Sequence, residues 1–266
     1  MKRTGRRATR RNTKRGLTLV EVIGVLVAIA VLIGVAVASW PPRSRDQAKR
    51  VYCASNLKQL GEAWHQYLAA NKGRFLQGVN ANINFGGKQG SDPAYGGDPN
   101  RPIAKPLNAH LTLPPVTAEA KMFRCPSDHG GGNVRDSTYF DLYGSSYGTN
   151  TLLIGQNQAF WPGNLPCGDL FRQINQRLTS LNESHVSTPH KLILLGDAGW
   201  LNAWHPGSTQ RIEWHQRPQS HNIAFMDGHV EFVRVRKGIH TCDDYTVIPW
   251  RDLQEMACGC QVEILP

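Results

Sequence analysis

The chain has 266 residues and a formal net charge of +10, from 30 basic and 20 acidic side chains. That length holds an anchor segment plus one sizeable domain. Eight of the cations (Lys2, Arg3, Arg6, Arg7, Arg10, Arg11, Lys14, Arg15) fall within residues 1–16 with no acid among them, so the remainder is nearly neutral, 22 basic against 20 acidic. This distribution excludes a nucleic-acid-binding body and makes the basic block a topology signal.

Residues 1–16 are thus a basic leader, and an apolar segment follows from Leu17 to Ser39. As a helix its 23 residues measure about 34 Å, the length expected of a membrane span. The positive-inside rule then keeps the N-terminus cytoplasmic and places the C-terminal domain across the inner membrane, periplasmic or extracellular. Two simple readings fit poorly. A secretory signal peptide has a shorter apolar core, although "AVAS" at 36–39 offers a cleavage site. An ordinary anchor leaves Glu21 unexplained, since a mid-bilayer carboxylate costs about 2.5–3.5 kcal/mol.

Trp40-Pro41-Pro42 interrupts the helix, and residues 40–71 read as its amphipathic continuation. Cys53, Leu57, Leu60, Trp64 and Tyr67 recur at helical spacing, with Arg50, Asn56, Lys58 and Glu62 largely off that stripe. Residues 72–266 form the globular part, with a Gly/Pro/Asp-rich loop at 86–108. "HKLILLGDAG" at 190–199 is a buried strand. "NIAFMDGHVEFVRV" at 222–235 is a hairpin, in which Asp227-Gly228 forms a two-residue type I′ turn. That turn pairs Phe225 with Val230 and Ile223 with Phe232 on one face, and puts Asn222, Ala224, His229 and Glu231 on the other. No internal repeat is present.

The N-terminus resembles the type IV prepilin and type II secretion pseudopilin superfamily. Its signature is a basic leader ending in Gly, then Phe-Thr-Leu-Ile-Glu-Leu and an apolar helix; this chain reads Gly16-Leu17-Thr18-Leu19-Val20-Glu21-Val22. Further landmarks follow in order: "RVYCASNLKQLGEA" (50–63), "RPIAKPLNAHL" (101–111), "MFRCPSD" (122–128), "SSYGTN" (145–150), "ILLGDAG" (193–199) and "HNIAFMDGHVEFV" (221–233). These resemble a prepilin-like family with a Cys-Pro-Ser-Asp element and a C-terminal H-x9-DG element. One departure stands out: ten residues before Asp227 lies Arg217, with His215 and His221 on either side.

The resemblance implies a prepilin peptidase cutting between Gly16 and Leu17, and N-methylation of the new Leu17 terminus, although Leu stands where the family has Phe. It implies an α+β fold: a long N-terminal membrane-spanning helix packed on an antiparallel sheet, pilin-like, with extended loops. The function implied is a structural subunit of a pseudopilus or surface fibre. Its partners would be other pilin-like subunits and membrane lipid. Glu21 would pair with the terminal amine of a neighbouring subunit, because a buried charge is tolerable only when paired. The alternative is an envelope or polysaccharide-binding protein that uses the same anchor without polymerising.

Neither an enzyme nor a cofactor is expected. Asp128, His129, Asp197, His221, Asp227 and His229 could converge on a metal, but no HExxH or paired CxxC motif supports it, and Cys258-x-Cys260 is too close for a zinc half-site. The expected catalytic and metal sets are therefore empty. Cys53 either pairs with Cys125 or is buried as a small apolar residue. Cys167, Cys242, Cys258 and Cys260 leave three connectivities open. Trp200 and Trp204 are either a carbohydrate platform or core anchors.

Overall fold

The computed structural model describes residues 18–38, 42–78, 80–154 and 166–265. Its helices are α1 (Leu19–Ala38), α2 (Pro42–Ala70), α3 (Ala81–Asn84), α4 (Tyr139–Tyr143), α5 (Gly168–Leu178), α6 (Gly199–Trp204) and α7 (Arg251–Cys260). The strands are β1 (Tyr147–Thr149), β2 (Ile193–Asp197), β3 (Ser220–Phe225) and β4 (Val230–Arg234), in one antiparallel sheet of order β1-β2-β3-β4. The chain divides into two compact units, Met1–Arg45 and Asp46–Pro266.

The α+β composition agrees with expectation, but the membrane-spanning helix does not. Among the described residues no helix is long and apolar enough to cross a membrane. Glu21 sits in the first turn of α1. The uncharged stretch behind it, Val22 to Ala38, measures about 26 Å, against a hydrocarbon core of about 30 Å. The expected interruption at Trp40-Pro41-Pro42 falls largely outside the described residues, which resume at Pro42. α2 begins at Pro42, where proline's missing N–H has no helical acceptor to lose. From Asp46 onward α2 belongs to the globular unit.

α2 buries Cys53, Leu57, Leu60, Ala63, Trp64 and Leu68, the 3.6-residue stripe. Each large side chain removed from water contributes about 1.5–3 kcal/mol, and Leu57→Ala would forfeit about 2–5 kcal/mol through the cavity it leaves. Asn56, expected off the stripe, is buried. Its amide donates to the Arg124 carbonyl (3.0 Å) and the Tyr147 hydroxyl (3.1 Å), so a polar residue joins the stripe by finding partners. Arg50 lies over the Phe232 ring (4.5 Å), and Lys58 Nζ donates to the Gly228 carbonyl (2.8 Å). α2 therefore covers the sheet face that carries Tyr147, Asp197, Asn222 and Phe232. α6 covers the other, its Trp200 indole donating to the Gly148 carbonyl (3.0 Å).

The hairpin register differs from expectation by one residue. Ala224 pairs with Val230, Ile223 with Glu231 and Asn222 with Phe232. Gly228 N donates to Phe225 O and Phe225 N to His229 O, both at 2.9 Å, so the loop has three residues, Met226, Asp227 and Gly228. Only Gly228 takes a positive φ (89°). This is the loop built from an ordinary turn and a left-handed glycine, not the type I′ turn, which needs two positive φ values. Ile223 and Phe225 thus share a face with His229 and Glu231, while Val230 and Phe232 lie on the opposite one.

The loop-rich stretch 86–108 is pinned by the buried Asn108, which exchanges hydrogen bonds with Gly87 (2.8 and 2.9 Å) and donates to the Pro114 carbonyl (3.1 Å). Disulfides join Cys53 to Cys125 and Cys167 to Cys260. The second ties the start of α5 to the end of α7, and Cys242 and Cys258 are free thiols. Each bridge closes a long loop, which typically stabilises by about 2–4 kcal/mol.

Candidate functional site

Among the described residues, three places bear chemistry. The first is α1. Thr18 precedes it, and its backbone N–H and hydroxyl both donate to Glu21 Oε2 (2.8 and 2.9 Å), while Glu21 N approaches Thr18 Oγ1 at 3.4 Å. This is a capping box, in which Glu21 satisfies a helix-end donor. The spacing Thr18-x-x-Glu21 signals it, and reading Glu21 only as a charge in an apolar run conceals it. Behind the cap, every large apolar side chain described from Leu19 to Val35 is 42–78% exposed. Gly16 and Leu17, the expected cleavage and methylation site, lie outside the described residues.

The second is a cavity of about 510 Å³ in the globular unit, lined among others by Asn82, Tyr95, Tyr139, Tyr143, Asn202 and Trp204. The Tyr143 ring meets Tyr95 edge-on at 4.6 Å and Tyr139 at 5.2 Å. Burial pushes all three phenols above the usual range, so they are hydroxyl donors at neutral pH. Trp200 and Trp204 are core anchors, nearly inaccessible, with the Trp204 indole donating to His240 Nδ1 (3.1 Å). The half-buried rings of Tyr95 and Tyr143 and the amides of Asn82 and Asn202 line the cavity beside the edge of Trp204. The size suits a small polar ligand.

The third is a set of buried polar side chains. The acids and histidines weighed as a metal set do not form one group. Asp128 is a fold element: its carboxylate accepts from Gly130 N (3.0 Å), Tyr139 N (3.0 Å), Phe140 N (2.9 Å) and Ser146 Oγ (2.6 Å). Asp227 and His229 pair with each other in the hairpin loop (2.6 Å). Partial burial pushes the Asp227 carboxyl up, but the His229 backbone N–H and ring outweigh this and hold it below the usual range. Asp197 lies at the end of β2, 1% exposed. Its Oδ2 accepts from Asn222 N (2.8 Å) and Asn222 Nδ2 (3.2 Å) and lies 3.1 Å from His215 Nε2.

His215, not His221, meets Asp197 within bonding distance. His215 Nε2 also stands 3.7 Å from Cys125 Sγ, beside the Cys53–Cys125 bridge. His221 is buried on the other face of β3, and burial drives its pKa down to about 4. The convergence of Cys53, Cys125, Asp197 and His215 is not legible in local spacing. His215 is conspicuous only as one of two histidines beside the position where the H-x9-DG pattern breaks. Comparison of the chain with protein-family models, with curated proteins and with solved structures returns no match.

Proposed function

We propose that the chain is a structural subunit of the pilin kind, with α1 as its assembly element and the unit from Asp46 onward as the displayed head. What supports this reading is one observation: α1 exposes its large apolar side chains from Leu19 to Val35 and carries a single carboxylate, at its N-terminal turn. Contiguous apolar surface of that extent marks an interaction site. Packed against the same helix of other copies, α1 would be covered. Processing between Gly16 and Leu17 by a prepilin peptidase would supply the terminal amine that neutralises a neighbour's Glu21. N-terminal sequencing of the mature protein, together with chemical crosslinking in native cells, tests the proposal. A terminus at Leu17 and ladders of oligomers are expected; a terminus near Ser39, or monomers only, refutes it.

A second reading rests on the tyrosine- and asparagine-lined cavity, which fits a head domain that binds an envelope glycan. Aromatic faces cover sugar C–H groups, and amides bond hydroxyls. Binding of the intact chain to a glycan array, lost in Tyr143→Ala, would support it. Monomeric protein with strong glycan binding would favour this reading over the fibre.

A further inference from the structure

Four buried groups meet in the head unit from segments far apart in sequence: Cys53 of α2, Cys125 of the Cys-Pro-Ser-Asp turn, Asp197 of β2 and His215 of the segment before β3. One ligand atom of each lies within 4.8 Å of those of the other three. His215 Nε2 is 3.7 Å from Cys125 Sγ and 3.1 Å from Asp197 Oδ2. A tetrahedral zinc ion, with bonds of about 2.3 Å to sulfur and about 2.0–2.2 Å to nitrogen or oxygen, sets S···N edges near 3.6 Å and N···O edges near 3.4 Å. Those two edges are therefore close to in place. The two sulfurs must separate, from a covalent bond to about 3.8 Å, and the remaining edges, each within 4.8 Å, close on the ion.

The polar inventory around the site asks for a cation. Asp197 is buried; among the described residues its Oδ1 has no hydrogen-bond partner and its one ion-pair partner is His215. An ionised carboxylate buried in this way is costly without a counter-charge. His215 Nε2 is approached both by the Asn222 amide (3.1 Å), a donor, and by the Asp197 carboxylate, an acceptor, so one nitrogen cannot satisfy both. Ligation through Nε2 ends that competition, since the Asn222 amide keeps Asp197 Oδ2 as its acceptor (3.2 Å). The two Asn222 hydrogen bonds already orient the Asp197 carboxylate, as outer groups do around metal ligands.

We propose that, when the Cys53–Cys125 bridge is reduced, Cys53, Cys125, His215 and Asp197 bind a zinc-class divalent cation. The disulfide joins two of these segments and the metal would join all four, so the two cross-links exclude each other at the same pair of cysteines. A dithiol or a phosphine supplies the two electrons that break the Sγ–Sγ bond, and the two thiols give up two protons as they ligate the cation. Re-oxidation of the thiolates by an external disulfide releases the metal.

The test is cobalt titration of the intact chain, oxidised and phosphine-reduced, followed by zinc competition. The reduced chain should show thiolate-to-cobalt charge transfer and the intense visible bands of tetrahedral cobalt, bleached by zinc. The oxidised chain should show neither. His215→Gln and Asp197→Asn, near-isosteric changes that leave both thiols in place, should each weaken the metal at least tenfold. His229→Gln, in the exposed hairpin loop, should change nothing. Binding at thiols on the α5–α7 side (Cys167, Cys242, Cys258, Cys260) is insensitive to residues 197 and 215, and so separates from the proposed site. Circular dichroism confirms that each variant is folded. Equal binding by oxidised and reduced chains overturns the proposal, as does a reduced-chain spectrum that neither substitution alters.

Discussion

The Trp204 indole N–H donates to His240 Nδ1 at 3.1 Å inside the head unit, so His240 is held as the neutral ring with that nitrogen unprotonated. Burial, with nearby His205 adding to it, lowers the His240 pKa to about 4 from 6.5. Between those values the unfolded chain binds a proton that the folded chain refuses, so stability is complete above pH 6.5 and falls as the pH drops toward 4. The contribution is about 3 kcal/mol at full extent. Thermal melts from pH 7 to 4.5 should show the decline. His240→Gln, which keeps an acceptor for Trp204, should reduce the slope by about one proton; an unchanged slope would refute the assignment.

Lys105 predicts the opposite end of the pH scale. Its ammonium is fully buried and bonds Asn84 Oδ1 at 2.7 Å, and burial lowers its pKa to about 8 from 10.5. The unfolded chain holds this proton up to pH 10.5, the folded chain only to about 8, so stability should rise across that window. Buried tyrosines such as Tyr147, with phenols pushed up, oppose the rise above pH 10. Denaturant melts at pH 8 and 9.5 should therefore differ by about 2 kcal/mol in favour of the higher pH. Lys105→Met should flatten the difference. A Lys105→Met protein that keeps it would place the titration elsewhere.

At Gly228 strain comes from the backbone alone. Its φ is 89°, yet a Cβ there would meet nothing closer than His65 Nε2 at 3.6 Å. Gly228→Asn should cost least, Gly228→Ala about 1–2 kcal/mol, and the β-branched Gly228→Val more. Asp227→Asn keeps an acceptor for His229 N and should cost under about 1 kcal/mol. Melts of the three glycine variants should follow that order. A steric cause would instead make Ala and Asn equally damaging.

These particulars show what local sequence carries and what it does not. The α2 stripe follows from helical spacing, and β2 from an unbroken apolar run that is buried along its length. Asn56 departs from the stripe pattern because its burial depends on Arg124 and Tyr147, partners 68 and 91 residues away. The hairpin register shifts because Asp-Gly serves both two- and three-residue loops, and the choice rests on the sheet and on Lys58 holding the Gly228 carbonyl. The Cys53, Cys125, Asp197 and His215 cluster needs the whole topology: no period or spacing relates residues on a helix, a turn, a strand end and a loop.

Glu21 has two separable roles, and amide substitution divides them. In the single chain its carboxylate caps α1 through Thr18 N and Oγ1. In the proposed fibre it also neutralises a neighbour's terminal amine. Glu21→Gln retains an acceptor for Thr18 but removes the charge, whereas Glu21→Val removes both. Loss of the cap should cost α1 about 0.5–2 kcal/mol, visible as reduced helicity in Glu21→Val but not in Glu21→Gln. If charge pairing drives assembly, crosslinked ladders should weaken in both variants to a similar degree, despite the intact cap in Glu21→Gln. If Glu21→Gln assembles as the unaltered chain does while Glu21→Val fails, Glu21 acts only as a helix cap and the amine pairing is wrong. Raising the pH past the range of an α-amino group, about 7.7–8.0, supplies an independent check. The unaltered chain should lose ladders as the amine deprotonates, and Glu21→Gln, having no charge to pair, should not respond.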